Sequence, residues 1–433
     1  MKQFITFLLI FFVAKSTAQS FADSYLLRLT TDQRVNVEKY LSPDGQIKEI
    51  NVTEQYSKES AGYDLIKSPT NGATEPCFVS INVPDGNYKI TVLLGSRKQE
   101  GHTTIRAESR RMFLNNAATK KGEFKTYSFI TNKRTPKISE EEAVSIKKRE
   151  QPKLNWDDKL TIEINGTQPQ CAAILIEPVS NVPTVFLAGN STVVDQDNEP
   201  WASWGQMIPQ FFDESVCFAN YAESGETLES FISAKRLKKM LTEMKEGDYL
   251  FIEFGHNDQK IKGPGKGAYY SFATNLKLFI DEARARGAIP VLLTPTCRRS
   301  FSEGKIQNTH GDFPDAVREV AERENVPLID LQNMTKYLYE ALGAEESKKA
   351  FVHYPAGTYP GQEKDLADNT HFNPYGAYEI AQCVVEGIKE NVPALAEFLT
   401  DKSTSFNPSL PDDPDSFHWD DCPFVELEKP DGN

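Results

Sequence analysis

The run Val182-Pro183-Thr184-Val185-Phe186-Leu187-Ala188-Gly189-Asn190-Ser191-Thr192 marks where the texture of this chain changes. Val185 to Leu187 is a short apolar segment soon closed by glycine. Segments of the same kind recur at Val216 to Ala219, Tyr249 to Phe254, Ile289 to Leu293 and Val326 to Ile329, each ahead of a helical pattern. Apolar residues repeat at three- and four-residue spacing over Leu228 to Met244, Phe272 to Arg286 and Tyr375 to Lys389, as in helices that bury one face. Strands that are apolar throughout, alternating with such helices, predict a parallel sheet covered on both faces, hence a three-layer α/β domain. Residues 183–400, roughly 220 in all, suffice for one domain of this kind and are too few for two.

Upstream, over residues 20–180, the runs at Tyr25 to Leu29, Phe78 to Val83, Tyr88 to Leu94, Thr103 to Ala107, Phe124 to Thr131 and Leu160 to Ile164 are separated by turn residues such as Pro84-Asp85-Gly86-Asn87. That is hairpin grammar and predicts an all-β sandwich. At the N-terminus, Lys2, the apolar run Phe4 to Val13 and the small residues Ser16-Thr17-Ala18 read as a signal peptide over residues 1–18. An exported protein, periplasmic or secreted, is therefore expected. Residues 401–433 are rich in Pro and Asp and read as an irregular tail, with Phe417, Trp419 and Phe424 available to pack on the body.

Composition narrows the function. The chain has 39% hydrophobic and 25% charged residues, ordinary for a globular protein. It carries 48 Lys plus Arg against 62 Asp plus Glu, a net charge of −14, which disfavours a surface that grips nucleic acid. No apolar run approaches the roughly 18 to 20 residues that span a bilayer, so no membrane insertion is expected, and an acidic monomer is the default. The six cysteines (Cys77, Cys171, Cys217, Cys297, Cys383 and Cys422) form no CxxC pair, and there is no HExxH motif. Neither a metal nor a cofactor is expected. Gly263-Pro264-Gly265-Lys266-Gly267 departs from phosphate-loop spacing and reads as a mobile loop beside the site.

In a doubly wound sheet, ligands bind beyond the carboxyl ends of the strands, so the residues that follow each strand carry the information. The first strand runs into Gly189-Asn190-Ser191-Thr192, the second into Asn220 to Gly225, and the third into Gly255-His256-Asn257-Asp258. Taken singly, Ser191 reads as a helix cap, Gly225 as a turn glycine and Asn257 as a loop residue. A nucleophilic serine needs a base held by a carboxylate. Two Asp-x-x-His pairs offer one, Asp368 with His371 and Asp415 with His418. The first is preferred because Asn373-Pro374 then opens the last strong helix, which places it on the α/β body, whereas the second lies in the tail. His256 is a third candidate base with no Asp in register. There is no Gly-x-Ser-x-Gly elbow, which disfavours an ordinary α/β-hydrolase.

In residues and order, Gly189-Asn190-Ser191, Gly225, Gly255-His256-Asn257-Asp258 and Asp368-Asn369-Thr370-His371 resemble the four blocks of the SGNH (GDSL-type) hydrolases over residues 183–395. The resemblance implies a flavodoxin-like sheet, Ser191 as nucleophile, His371 as base oriented by Asp368, and an oxyanion hole of the Ser191 and Gly225 N–H groups and the Asn257 side chain. Asn190 stands where the family usually has Asp, a position outside the triad.

The stretches Gly189 to Val193, Pro200-Trp201-Ala202-Ser203-Trp204-Gly205 and Thr358-Tyr359-Pro360-Gly361 look like the rhamnogalacturonan acetylesterase branch, and the sandwich looks like a galactose-binding-type domain. The resemblance implies removal of acetyl groups from acetylated plant cell-wall polysaccharide, specifically pectic rhamnogalacturonan. Trp201, Trp204, Tyr270 and Tyr359 are candidates to stack on sugar rings. Arg298 and Arg299 are candidates to bind a uronate carboxylate, beside Lys260, Lys262 and Lys266. Because an imidazole must be unprotonated to act as base, acid should suppress the reaction. Two alternatives stay open: an SGNH esterase acting on xylan acetyl groups or small esters, and a non-catalytic carbohydrate-binding protein.

Overall fold

A computed structural model describes residues 23–42 and 46–424; the signal peptide expected over residues 1–18 lies outside the described residues. Ten strands come first: β1 (Ser24–Arg28), β2 (Ile47–Asn51), β3 (Gly62–Asp64), β4 (Cys77–Asn82), β5 (Gly86–Gly95), β6 (Gly101–Ala107), β7 (Arg111–Thr119), β8 (Phe124–Lys133), β9 (Lys159–Gln168) and β10 (Cys171–Val179). One sheet has the order β3-β4-β9-β6-β7, and a second runs β8-β5-β10-β1-β2. Period-two alternation turns Tyr88, Ile90, Val92 and Leu94 of β5 into the core between them, with Ile174 beside them on β10 and Ile105 and Ile162 opposite.

The expectation of a hairpin across Pro84-Asp85-Gly86-Asn87 is corrected. β4 pairs with β3 and β9, while β5 pairs with β8 and β10, so this turn crosses between sheets. Turn residues reverse the chain but do not choose the partner. The choice lies with the apolar faces of both strands, which meet across the core.

The second half adds β11 (Thr184–Gly189), α1 (Trp204–Met207), β12 (Cys217–Asn220), α2 (Leu228–Ser233), α3 (Arg236–Glu243), β13 (Tyr249–Glu253), α4 (Ala273–Arg284) and β14 (Ile289–Leu293). A ribbon of β15 (Phe301–Ser302) and β16 (Lys305–Ile306) follows, then α5 (Phe313–Glu324), β17 (Leu328–Ile329), α6 (Leu331–Glu346), β18 (Phe351–Tyr354), β19 (Leu366–Phe372), α7 (Pro374–Asn391) and α8 (Pro393–Ala396). Five strands lie parallel in the order β12-β11-β13-β14-β17, a doubly wound flavodoxin-like arrangement whose switch point falls between β11 and β13. Val185, Leu187, Phe251 and Val291 pack on the α7 side, while Phe186, Ala188, Leu250 and Ile252 pack against α4 and α5. Burial on both faces explains why these strands are apolar throughout.

The single helix expected over Leu228 to Met244 is two, broken at Lys235, which takes φ 62°. Leu228 and Phe231 of the first and Leu237 and Met240 of the second enter one core. Phe231 and Leu237 would stand roughly 120° apart around a continuous helix, so the break brings both onto the same side. No helix among the described residues is long and apolar enough to cross a membrane.

The two halves share a sheet. β12 pairs in parallel with β8 at Phe218 and Thr131, which joins the parallel strands to the sandwich in one ten-stranded sheet. The turn between β6 and β7 also enters the second half: Arg111 Nη2 lies 2.9 Å from Asp195 Oδ2, Arg110 Nη1 donates to Trp201 O at 2.9 Å, and Gln206 Nε2 donates to Ser109 O at 3.0 Å. The tail packs on both halves: Trp419 Nε1 donates to Glu199 at 3.1 Å, and the Arg106 guanidinium stacks 4.0 Å from the Trp419 ring.

Arg111 and Asp195 are both fully buried. Truncating one partner of such a pair leaves the other charge enclosed, which costs about 3–5 kcal/mol. Arg111→Ala is therefore expected to lower the urea unfolding midpoint by that equivalent, whereas Arg323→Ala, in an exposed helical pair, leaves it nearly unchanged.

Candidate active site

Ser191 stands on the turn that leaves β11. Asn190 O accepts the N–H groups of Val193 and Val194 at 3.0 Å, and Val193 folds back so closely that a Cβ on Gly189 would lie 2.5 Å from its Cγ2. Gly189 thus permits the sharp exit. No helix starts at Ser191, so it is not a helix cap. Gln196 Nε2 donates to Ser191 O at 2.9 Å and closes the turn from the far side.

His371 comes from β19, close to Pro374, where Asn373 caps α7 by accepting the Gly376 N–H. Its Nε2 lies 2.9 Å from Ser191 Oγ, and its Nδ1 lies 2.8 Å from Asp368 Oδ2. Asp368 Oδ1 accepts the N–H groups of Thr370 and His371, at 2.8 and 3.0 Å. The carboxylate thereby fixes both the backbone and the ring beside it. With a proton on Nδ1 toward Asp368, Nε2 faces the serine hydroxyl as an acceptor. Burial alone would raise the Asp368 carboxyl, but the bond and charge of His371 and the two N–H groups hold it well below the usual carboxylate range.

The other candidate bases are placed differently. Asp415 pairs with Lys349, and His418 with Asp420, so the second Asp-x-x-His pair does not form. His256 is buried edge-on against His310, ring centroids 4.4 Å apart, and burial keeps it neutral, its pKa well below the ordinary value.

Gly225 adopts φ +80°, and Asn257 Nδ2 donates to the carbonyl of its neighbour Glu226 at 3.1 Å. Asp258 ties the same two loops together by accepting the N–H of Leu228 at 2.9 Å and of Gly255 at 3.0 Å; burial raises its carboxyl to about 7. A clamp on the Gly225 loop has no motif in the sequence. Lys147, from the segment between β8 and β9, pairs with Glu226 at 3.0 Å and donates to Ser224 O, and Arg149 pairs with Glu223. Nothing in their surface-like basic run distinguishes these two residues in sequence.

Trp201, assigned above to sugar stacking, is corrected: it is 2% exposed, and Trp204 is fully enclosed. The Trp204 ring packs in the core on the α7 side of the sheet and donates to Glu253 at the end of β13. Tyr359 is half-buried, edge-on to Tyr354, while Tyr270 is 66% exposed. Arg298 donates to His256 O at 3.0 Å and feels the Asp368 charge; Arg299 donates to Asn369 and Ser347. Lys266 of the glycine-rich loop pairs with Glu229 at 2.6 Å.

Residues 187–378 match the GDSL-like lipase/acylhydrolase family. The rhamnogalacturonan acetylesterase RhgT of Bacillus subtilis is 46% identical over 221 residues, which cover 50% of this chain and 94% of that protein. The probable rhamnogalacturonan acetylesterase YesY of the same organism is 32% identical over 218 residues, covering 50% and 96%. A crystal structure of the B. subtilis protein YxiM aligns with a TM-score of 0.45 and 20% identity over 85% of this chain and 98% of that one. The chain belongs to the GDSL-like lipase/acylhydrolase family. It is accordingly a carboxylic ester hydrolase, and the family match spans Ser191, Gly225, Asn257, Asp368 and His371.

In this acylhydrolase the lowered Asp368 pKa sets a sign. A carboxylate held below its unfolded value of about 3.9 contributes stability above that pH and loses it as pH falls. Asp368→Asn is expected to cost most at pH 7, with the gap to wild type narrowing toward pH 3 in urea titrations. An equal gap at both pH values would contradict the assignment.

Proposed function

We propose that this chain is an exported serine esterase that removes acetyl groups from pectic polysaccharide through an acetyl-enzyme. The observation that carries the chemistry is the unbroken chain Ser191 Oγ, His371, Asp368, with contacts of 2.9 and 2.8 Å. His371 takes the serine proton as Oγ attacks the acetyl carbonyl and returns it to the departing sugar hydroxyl; water, activated by the same imidazole, then releases acetate. The Ser191 and Gly225 N–H groups and Asn257 Nδ2 hold the tetrahedral oxyanion, on loops already fixed to each other by Asp258 and clamped by Lys147 and Arg149. No step calls for a metal or organic cofactor.

The polymer is inferred from the relatives named for rhamnogalacturonan at 46% and 32% identity, each matched over nearly its whole length. Arg298 supports an acidic substrate: its guanidinium is half-buried beside the triad and has no carboxylate partner among the described residues. The intact triad speaks against the non-catalytic alternative.

Acetate release from acetylated rhamnogalacturonan, acetylated xylan and an aryl acetate tests the proposal. Wild type should prefer the first, and Ser191→Ala should reduce release from all three by on the order of 10³-fold or more. Preference for xylan would overturn the substrate; an active Ser191→Ala would overturn the chemistry. Arg298→Ala should raise KM on the uronate polymer about tenfold while leaving the aryl acetate KM within about twofold. Equal KM values on both would remove Arg298 from substrate recognition.

A further inference from the structure

Glu253 is a buried acid that takes no part in the mechanism above. Glu253 ends the otherwise apolar strand β13, is fully enclosed, and is the register partner of Gly189, two residues before Ser191. Its Oε2 accepts the Trp204 Nε1–H, and its Oε1 lies 2.9 Å from Thr192 Oγ1 and 3.5 Å from the Thr296 N–H. These partners, from the nucleophile loop, from α1 and from the loop after β14, are neutral. The titratable group coupled to it from α6 is the Tyr339 phenol, which burial keeps protonated. Among the described residues no cation pairs with Glu253.

Counting hydrogens on Thr192 decides what this carboxyl must be. The hydroxyl has one hydrogen, yet it faces two acceptors, Asn190 Oδ1 at 3.0 Å and Glu253 Oε1 at 2.9 Å. The Asn190 amide cannot be turned to present nitrogen instead, because the same Oδ1 accepts the Thr192 N–H at 3.1 Å. Both short contacts are satisfied only if the second hydrogen comes from Glu253. The chain then runs from Glu253 O–H to Thr192 Oγ1 and from Thr192 O–H to Asn190 Oδ1, spanning the residues on either side of Ser191.

We propose that Glu253 is a positioning residue that works as a neutral acid, donating its proton to the Thr192 hydroxyl and so fixing the turn that presents Ser191. The proposal rests on the reading of Ser191 as nucleophile. Asn190 is matched to this state: an amide oxygen receives the end of the chain without placing a second negative charge beside the acid. In agreement, burial raises the Glu253 carboxyl to about 7. Above that pH the donor is lost, Thr192 is left between two acceptors, and the turn loosens. The enzyme therefore has an alkaline limb of activity that originates in this acid.

Aryl acetate kinetics over pH 5 to 10 test it, with Ser191 labelled by a serine-directed phosphonate as a separate readout. Glu253→Gln keeps an N–H for Thr192 and an oxygen for Trp204 but cannot ionise. It should retain kcat within about threefold of wild type at neutral pH and lose the alkaline limb. Glu253→Ala should lower kcat at least tenfold with little change in KM. Asn190→Asp should move the limb to higher pH, since a neighbouring negative charge opposes ionisation. The proposal falls if wild type shows no alkaline limb, if Glu253→Gln keeps the limb at its wild-type midpoint, or if Glu253→Gln loses as much kcat as Glu253→Ala. Should Glu253→Ala fail to fold, the Glu253→Gln profile decides alone. Loss of phosphonate labelling in Ser191→Ala, beside normal labelling in Glu253→Gln, separates failure here from failure of the nucleophile assignment.

Discussion

Ser191 and His371 are 180 residues apart in the chain, yet their side chains must stay within a 2.9 Å hydrogen bond. A turn and a strand end meet here with almost no exposed surface, so small shifts of either would break the contact. The surrounding structure supplies the restraint. Val193 folds over Gly189, Gln196 closes the Ser191 turn, and Asp368 binds both the ring and the backbone of His371. Positioning of this kind, with polar groups set before substrate arrives, is the main way a serine esterase lowers its barrier.

The sandwich takes part in that restraint. Its β6–β7 turn sends Arg110 and Arg111 into the loop after β11, Lys147 and Arg149 hold the Gly225 loop, and Arg134 donates to Asn220 O at the end of β12. Each contact sets a buried or partly buried cation against a carboxylate or a carbonyl. Such pairs contribute little net stability against apolar packing of equal volume, but they demand one geometry. That property suits a boundary which must place loops accurately.

Much of this was legible in the sequence. The apolar runs Val185 to Leu187 and Tyr249 to Phe254, alternating with amphipathic helices, gave away the buried parallel sheet, and Ser191, Asn257 and His371 follow or end elements of the second half. Local rules failed where two elements compete for one core. Leu228 to Met244 carries a continuous helical pattern, yet it breaks at Lys235 so that Phe231 and Leu237 face the same side. The Pro84 to Asn87 turn crosses between sheets because turn chemistry carries no information about the partner strand. Trp201 and Trp204, read as sugar-stacking rings, are interior, the second opening α1 and reaching the buried Glu253. Glu253 did leave a signal, an acid closing an apolar strand, but its partners are invisible until Thr192 and Trp204 are brought to it.

The sequence by itself determined the α/β class of the second half, the strand-rich first half and the residue types of the site, because periodicity and the residues at strand ends are local properties. Tertiary structure alone decided that the two halves share one sheet, that the helical pattern over Leu228 to Met244 breaks at Lys235, and which cations reach into the site loops. Those outcomes depend on contacts between segments tens to hundreds of residues apart, and no local pattern encodes the distance between them.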